Sequence, residues 1–137
     1  GKPGHDAGAR YHRATSDQGW LSCPDNCAFD NKGRIWISTD GAPSVIGFCD
    51  GLFKVPLEGA ERGHVQQFLS VPRESETCGP VIRSKESMVY VAVQHPGENG
   101  TWGAQTSLFP DYVTAGATPA AGKFALPRPS VAQVWRS

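Results

Sequence analysis

The sequence predicts an all-β fold of about two four-stranded antiparallel units, the second incomplete and carrying a long irregular loop. Three observations lead there. Short runs rich in Val, Ile, Phe and Trp recur between turn residues, as in RIWIST (Arg34 to Thr39) and MVYVAVQ (Met88 to Gln94). Gly (16) and Pro (11) are abundant and only 19% of residues are charged, which suits many strands and turns better than long helices. A pattern of short strand, polar turn and buried strand occurs twice, in CAFDNKGRIWIST and VIRSKESMVYVAV, at an offset of about 54 residues.

The elements follow in order. Residues 1–21 are polar, Gly-rich and without periodicity, and read as an arm or the tail of an upstream segment. His5 and His12 lie within it as conceivable metal ligands, but a polar arm is the simpler reading. Residues 22–72 form the first unit. Cys27 to Asp30 is a short strand, and Asn31-Lys32-Gly33 has turn chemistry. Arg34 to Thr39 follows, with Ile35 and Ile37 on one face and Trp36 on the other, so this strand should be covered on both sides. GAPSVIGFCDG reads as a loop. Leu52 to Leu57 is a third strand, with Pro56 placing it at a strand end, and His64 to Val71 is a fourth. Four consecutive strands of this kind make the meander from which β-propeller blades are built.

Residues 73–137 begin the pattern again. Arg73 to Pro80 (RESETCGP) reads as a loop, Val81 to Arg83 and Met88 to Gln94 as strands, and Ser130 to Arg136 as a third strand. Between them, residues 97–127 are rich in Gly, Ala, Thr and Pro, and a stretch of that length inside a domain tends to be functional or disordered. Trp102, Phe109 and Tyr112 are the side chains that could pin it. Asn99-Gly100-Thr101 fits the glycosylation sequon, a weak motif. Two blades cannot close a ring, so the chain is expected to complete its sheet with a partner or with the rest of a longer protein.

Composition excludes some functions. Lys plus Arg and Asp plus Glu both number 13, so the net charge is zero and a grip on nucleic-acid phosphates is not expected. No window of 18 apolar residues encodes a membrane span. The first residues lack the apolar core of a signal peptide, as a mature or truncated chain also would. The four cysteines, Cys23, Cys27, Cys49 and Cys78, permit two disulfides in three pairings, or free thiols. The spacing of Cys23 and Cys27 matches no usual zinc pair.

Oxygen donors flank the first hairpin: Asp25 and Asn26 before it, Asp40 after it. Strand ends hold such ligands rigidly enough for hard cations such as calcium, although Asp25 and Asn26 could equally close an Asx-type turn. The second unit opens with Glu74 and Glu76, and its buried strand ends at His95, with Glu98 beyond.

The motifs CPDNCAFDNKGRIWISTDG, DGLFKVPLEGAERGHVQQFLSVP, ETCGP, VYVAVQHPGE and PRPSV occur in this order across residues 22–134. Their succession resembles the C-terminal region of the PhoX-type bacterial alkaline phosphatases. The resemblance implies a six-bladed β-propeller that hydrolyses phosphate monoesters at a calcium and iron cluster. It implies export to the periplasm or the cell exterior. Carried over residue by residue, it makes Asp25 and Glu76 the leading metal ligands and Asn26 a weaker one, with His95, Glu98 and Asp40 lining the same mouth. The remaining ligands, including an iron-binding cysteine and basic phosphate-holding groups, would lie in blades outside this sequence. The chain alone is therefore expected to be catalytically silent. Calcium-dependent lactonase-type propellers share the PDN-x-AFD signal, though not ETCGP and QHPGE. A structural role, joining subunits through open strand edges, is a third reading.

Overall fold

The computed structural model describes residues 11–111 and 126–136. It holds a four-stranded antiparallel sheet of β1 (Pro24–Phe29), β2 (Arg34–Thr39), β3 (Gly51–Pro56) and β4 (Gln66–Ser70), in that order. A second, three-stranded sheet contains β5 (Glu76–Arg83), β6 (Met88–Gln94) and β7 (Ser130–Trp135). All pairings are antiparallel between sequential neighbours, and β1 lies against β5 where the sheets meet.

The turn between β1 and β2 is organised by one buried carboxylate. Asp30 Oδ1 accepts the backbone N–H groups of Lys32 (2.8 Å) and Arg34 (3.1 Å). Its Oδ2 accepts Arg34 Nε (2.6 Å) and the indole Nε1–H of Trp36 (2.9 Å). Gly33 takes φ 69°, the left-handed conformation that closes the turn. Trp36 is thereby aimed into a core with Leu52 and Val89, which joins the two sheets. On the opposite face Ile35 and Ile37 pack with Phe53, Val55 and Val65. The first sheet is thus covered on both sides, as the apolar residues on both faces of RIWIST require. Burial of a side chain such as Leu52, which is fully enclosed, contributes about 1.5–3 kcal/mol.

Residues 11–21, read as the end of a polar arm, lie against this second face: Tyr11 and Leu21 pack on the Phe53, Val55 and Val65 cluster. The backbone N–H of Val65 donates to Thr15 Oγ1 (3.2 Å). Gly19 sits so close to the Val65 carbonyl that a Cβ would approach within 2.5 Å. The hydrophobic anchors are too sparse in sequence to show periodicity. His5 lies outside the described residues.

Two further segments differ from expectation. GAPSVIGFCDG contains α1 (Ala42–Ile46), a single turn bracketed by the left-handed Gly41 and Gly47. The Asp50 carboxylate holds it in place, accepting Thr39 Oγ1 (2.6 Å), Gly41 N–H (2.9 Å) and Ala42 N–H (3.0 Å). RESETCGP is not wholly loop, because β5 begins at Glu76. Its Gly79-Pro80 pair sits in a register shift between Cys78 and Val81, and a bulge is where a strand tolerates proline. In the long loop, Trp102 is 68% exposed, Phe109 is half-buried and Tyr112 lies outside the described residues.

β1 has its own register shift, between Pro24 and Cys27. The two bulges are about 54 residues apart, the offset of the sequence repeat. By that register Asp25 corresponds to Gly79 and Glu76 to Ser22, so the two carboxylates do not occupy equivalent blade positions. They meet because the bulge in β1 turns Asp25 and Asn26 towards the neighbouring β5.

Candidate metal centre

Asp25 comes from β1 and Glu76 from β5, and both have a donor oxygen in a cluster with the Cys78 sulfur, all within 4.8 Å of one another. The cluster therefore spans the two sheets. Glu76 and Cys78 are two residues apart on a strand and share a face, while Thr77 between them is fully buried on the other. That spacing is the signal that could have added Cys78 to the expected ligands. All four cysteines are free thiols.

Asn26 is brought to the same place in another role. Its side-chain oxygen accepts the Cys78 thiol (3.0 Å) and the Gly79 N–H (2.9 Å), so it rivets one bulge to the other. Glu76 is held by Gln94 Nε2 at Oε1 (3.3 Å) and by His95 Nε2 at Oε2 (3.0 Å). His95 Nδ1 faces Glu98 Oε2 at 2.9 Å. The imidazole thus cross-links two carboxylates.

Burial pushes the Cys78 thiol above its ordinary pKa of 9.0, and the negative charges of Glu76 and Asp25 add to this against a hydrogen bond from Gln94. The protonated thiol is the donor in its contact with Asn26 Oδ1.

Beside the cluster lies a cleft of about 720 Å³. Asp40, His95 and Glu98 line it, as do Arg73, Glu74 and Ser75. Asp25, Asn26 and Glu76 do not; His95 connects the two regions through its contact with Glu76. The cleft walls come from the α1 segment on one side and the chain entering β5 and leaving β6 on the other. The Ser75 hydroxyl is buried and has no hydrogen-bond partner among the described residues. Glu74 receives the Thr106 hydroxyl and, at its carbonyl, the N–H groups of Gly97 (2.9 Å) and Glu98 (3.3 Å), which fixes the start of the long loop.

Backbone strain concentrates here. Cys23 (φ 49°), Glu74 (φ 56°) and His95 (φ 28°) are three of the four non-glycine residues with positive φ among those described, and each adjoins the cluster or the cleft. Such conformations cost on the order of 1–3 kcal/mol each and gather at sites where a side chain must be aimed.

The family model for alkaline phosphatase PhoX matches residues 2–97. No curated protein matches the chain. Among solved structures, Pseudomonas fluorescens PhoX in complex with vanadate, a transition state analogue, is similar at TM-score 0.58 and 28% sequence identity. The likeness covers 82% of this chain and 17% of that one. The two antiparallel sheets reproduce part of its β-propeller-like fold without closing a ring. More than half of the sequence falls under the family model and the fold agrees, so the chain belongs to the PhoX alkaline phosphatase family.

Proposed function

We propose that this chain is one part of a metal-dependent phosphatase that hydrolyses phosphate monoesters. In this reading it contributes Asp25 and Glu76 as metal ligands, with Cys78 beside them. The observation that carries the reading is the convergence of those three donors from two sheets, in a chain whose solved relative binds vanadate.

The donor chemistry fits the metals implied by the resemblance. Two carboxylates supply hard oxygen ligands of the kind calcium takes, though fewer than its full shell of 6–8. A thiolate is foreign to calcium and suits iron. Metals at such a site supply Lewis acidity towards a phosphoryl oxygen and a more acidic bound water. The chain's own side chains do the positioning. Gln94 and His95 fix both oxygens of Glu76, and Asn26 fixes the sheet-to-sheet spacing. Arg73, at the cleft wall, has its Nε 3.4 Å from Glu74 Oε1, and a dianionic ester would share or displace that carboxylate as the partner of its guanidinium.

The remaining ligands belong to blades beyond this sequence, so the isolated chain is silent towards phosphate esters. Exposed Val131 and Trp135 on the edge strand β7 support docking of those blades, or of other copies, through an open edge. Periplasmic or extracellular placement rests on the family resemblance. No helix among the described residues is long and apolar enough to cross a membrane.

The test is hydrolysis of p-nitrophenyl phosphate by the complete protein, with calcium and iron content measured alongside. Asp25→Asn and Glu76→Gln should each lower activity at least ~100-fold, beyond the usual effect of an outer-shell change. Activity within tenfold of wild type in both variants, at unchanged metal content, would refute the assignment.

A further inference from the structure

A second cluster of metal-ligating side chains lies away from the cleft, on the covered face of the first sheet. His12 comes from the segment before β1, while Glu61 and His64 come from the turn between β3 and β4. One donor atom from each lies within 4.8 Å of the others. The two imidazoles stack with centroids 5.2 Å apart at 30°. His64 Nδ1 is 2.5 Å from Glu61 Oε2. None of the three takes part in the Asp25, Glu76 and Cys78 cluster.

The backbone holds these donors in place from both sides. His64 N–H donates to the Glu61 carbonyl (2.9 Å), which closes the turn, and His12 N–H reaches the Gly63 carbonyl (3.4 Å). Tyr11, next to His12, packs on the Phe53, Val55 and Val65 core. The Val65 N–H to Thr15 bond fastens the segment again three residues on. The His64 side chain is only 16% exposed, whereas Glu61 is open to solvent. One face of the cluster is therefore fixed and the other is accessible to an entering ion.

We propose that His12, Glu61 and His64 bind a divalent transition metal of the zinc type, which clips the segment before β1 to the β3–β4 turn. Two imidazoles and one carboxylate form a donor set suited to zinc, nickel or copper, and poorly suited to calcium or magnesium, which take oxygen ligands. Solvent water completes the shell on the open side. The ion displaces two contacts. One is the His64–Glu61 hydrogen bond. The other is the bond from Ala14 N–H to His12 Nδ1, at 3.2 Å. The latter is lost whichever ring nitrogen of His12 coordinates, because coordination at Nε2 moves the ring proton to Nδ1.

The test is calorimetric titration of the chelator-stripped chain with zinc chloride, then with calcium chloride. One zinc equivalent is expected that excess calcium does not displace. Its affinity should fall at least ~100-fold in His12→Gln and in His64→Gln, a loss larger than outer-shell changes give. It should persist in Cys78→Ser, which separates this site from the sheet-spanning cluster. Zinc binding that is unchanged in both histidine variants, or lost only in Cys78→Ser, overturns the proposal, as does absence of micromolar binding to the wild-type chain. If either variant fails to fold, the imidazole NMR signals of His12 and His64 in the wild-type chain decide. Both must shift on zinc addition; unmoved signals refute the site.

Discussion

The Asp30 turn gives the sharpest stability prediction. Replacing Asp30 with Asn leaves one oxygen to serve the Lys32 and Arg34 N–H groups, and places an NH₂ where Oδ2 now meets Arg34 Nε and Trp36 Nε1. Two donors then face a donor. Trp36 is only 4% exposed, so its indole N–H cannot turn to water. An orphaned buried donor costs about 1–3 kcal/mol, and the charge-assisted bond to the partly exposed Arg34 adds roughly 1 kcal/mol. The expected loss is ~3 kcal/mol, or roughly 10 °C in Tm for a chain of this size.

The loss should depend on pH with a defined sign. Burial disfavours the charged carboxyl, but hydrogen bonds from Trp36, Lys32 and Arg34 outweigh it and hold Asp30 below its ordinary pKa of 3.8. A depressed folded-state pKa stabilises the fold above the unfolded-state value and ceases to do so as pH falls through the folded-state value. Wild type and Asp30→Asn should therefore differ fully at pH 7 and converge in strong acid. Urea unfolding followed by tryptophan fluorescence at several pH values measures this. A difference below about 0.5 kcal/mol at pH 7 would refute the reasoning, since that is the scatter of ordinary surface substitutions.

Two further outcomes test the packing. Leu52→Ala empties a fully enclosed site between Trp36 and Val89 and should cost about 2–5 kcal/mol in the same unfolding assay. Gly51→Ala would put a Cβ 2.6 Å from the Leu69 carbonyl, forcing β3 and β4 apart. The amides of β4 should then exchange faster by hydrogen–deuterium exchange, while those of β6 keep their protection.

The strands were legible wherever local chemistry and tertiary packing agreed. Arg34 to Thr39 and Met88 to Gln94 are read to the residue, because their apolar runs are bounded by turn residues and each buries side chains in the core. β5 was legible only from Val81 onward, since Gly79-Pro80 looks like a loop terminator until a bulge absorbs it. α1 was invisible because it has a single turn and is held by Asp50 rather than by helical periodicity.

Site residues were legible as types and not as geometry. Asp25 and Glu76 stand out as acids at strand ends, but the offset of about 54 residues between the repeats does not align them. Their meeting depends on a bulge and on the packing of β1 against β5, both non-local. Cys78 needed the strand assignment of Glu76 before its shared face could be seen. Asn26 has a ligand's chemistry, yet its oxygen is already taken by Cys78 and Gly79.

Because Asp25 and Glu76 stand on different sheets, their spacing measures how tightly one sheet nests on the next. A slip of one residue along β5 moves a carboxylate by about 3.3 Å, more than any metal–oxygen bond length tolerates. An ion seated there would act as a gauge of blade alignment. Heat or denaturant that loosens the contact between the sheets should release the ion before either sheet loses its own hydrogen bonds.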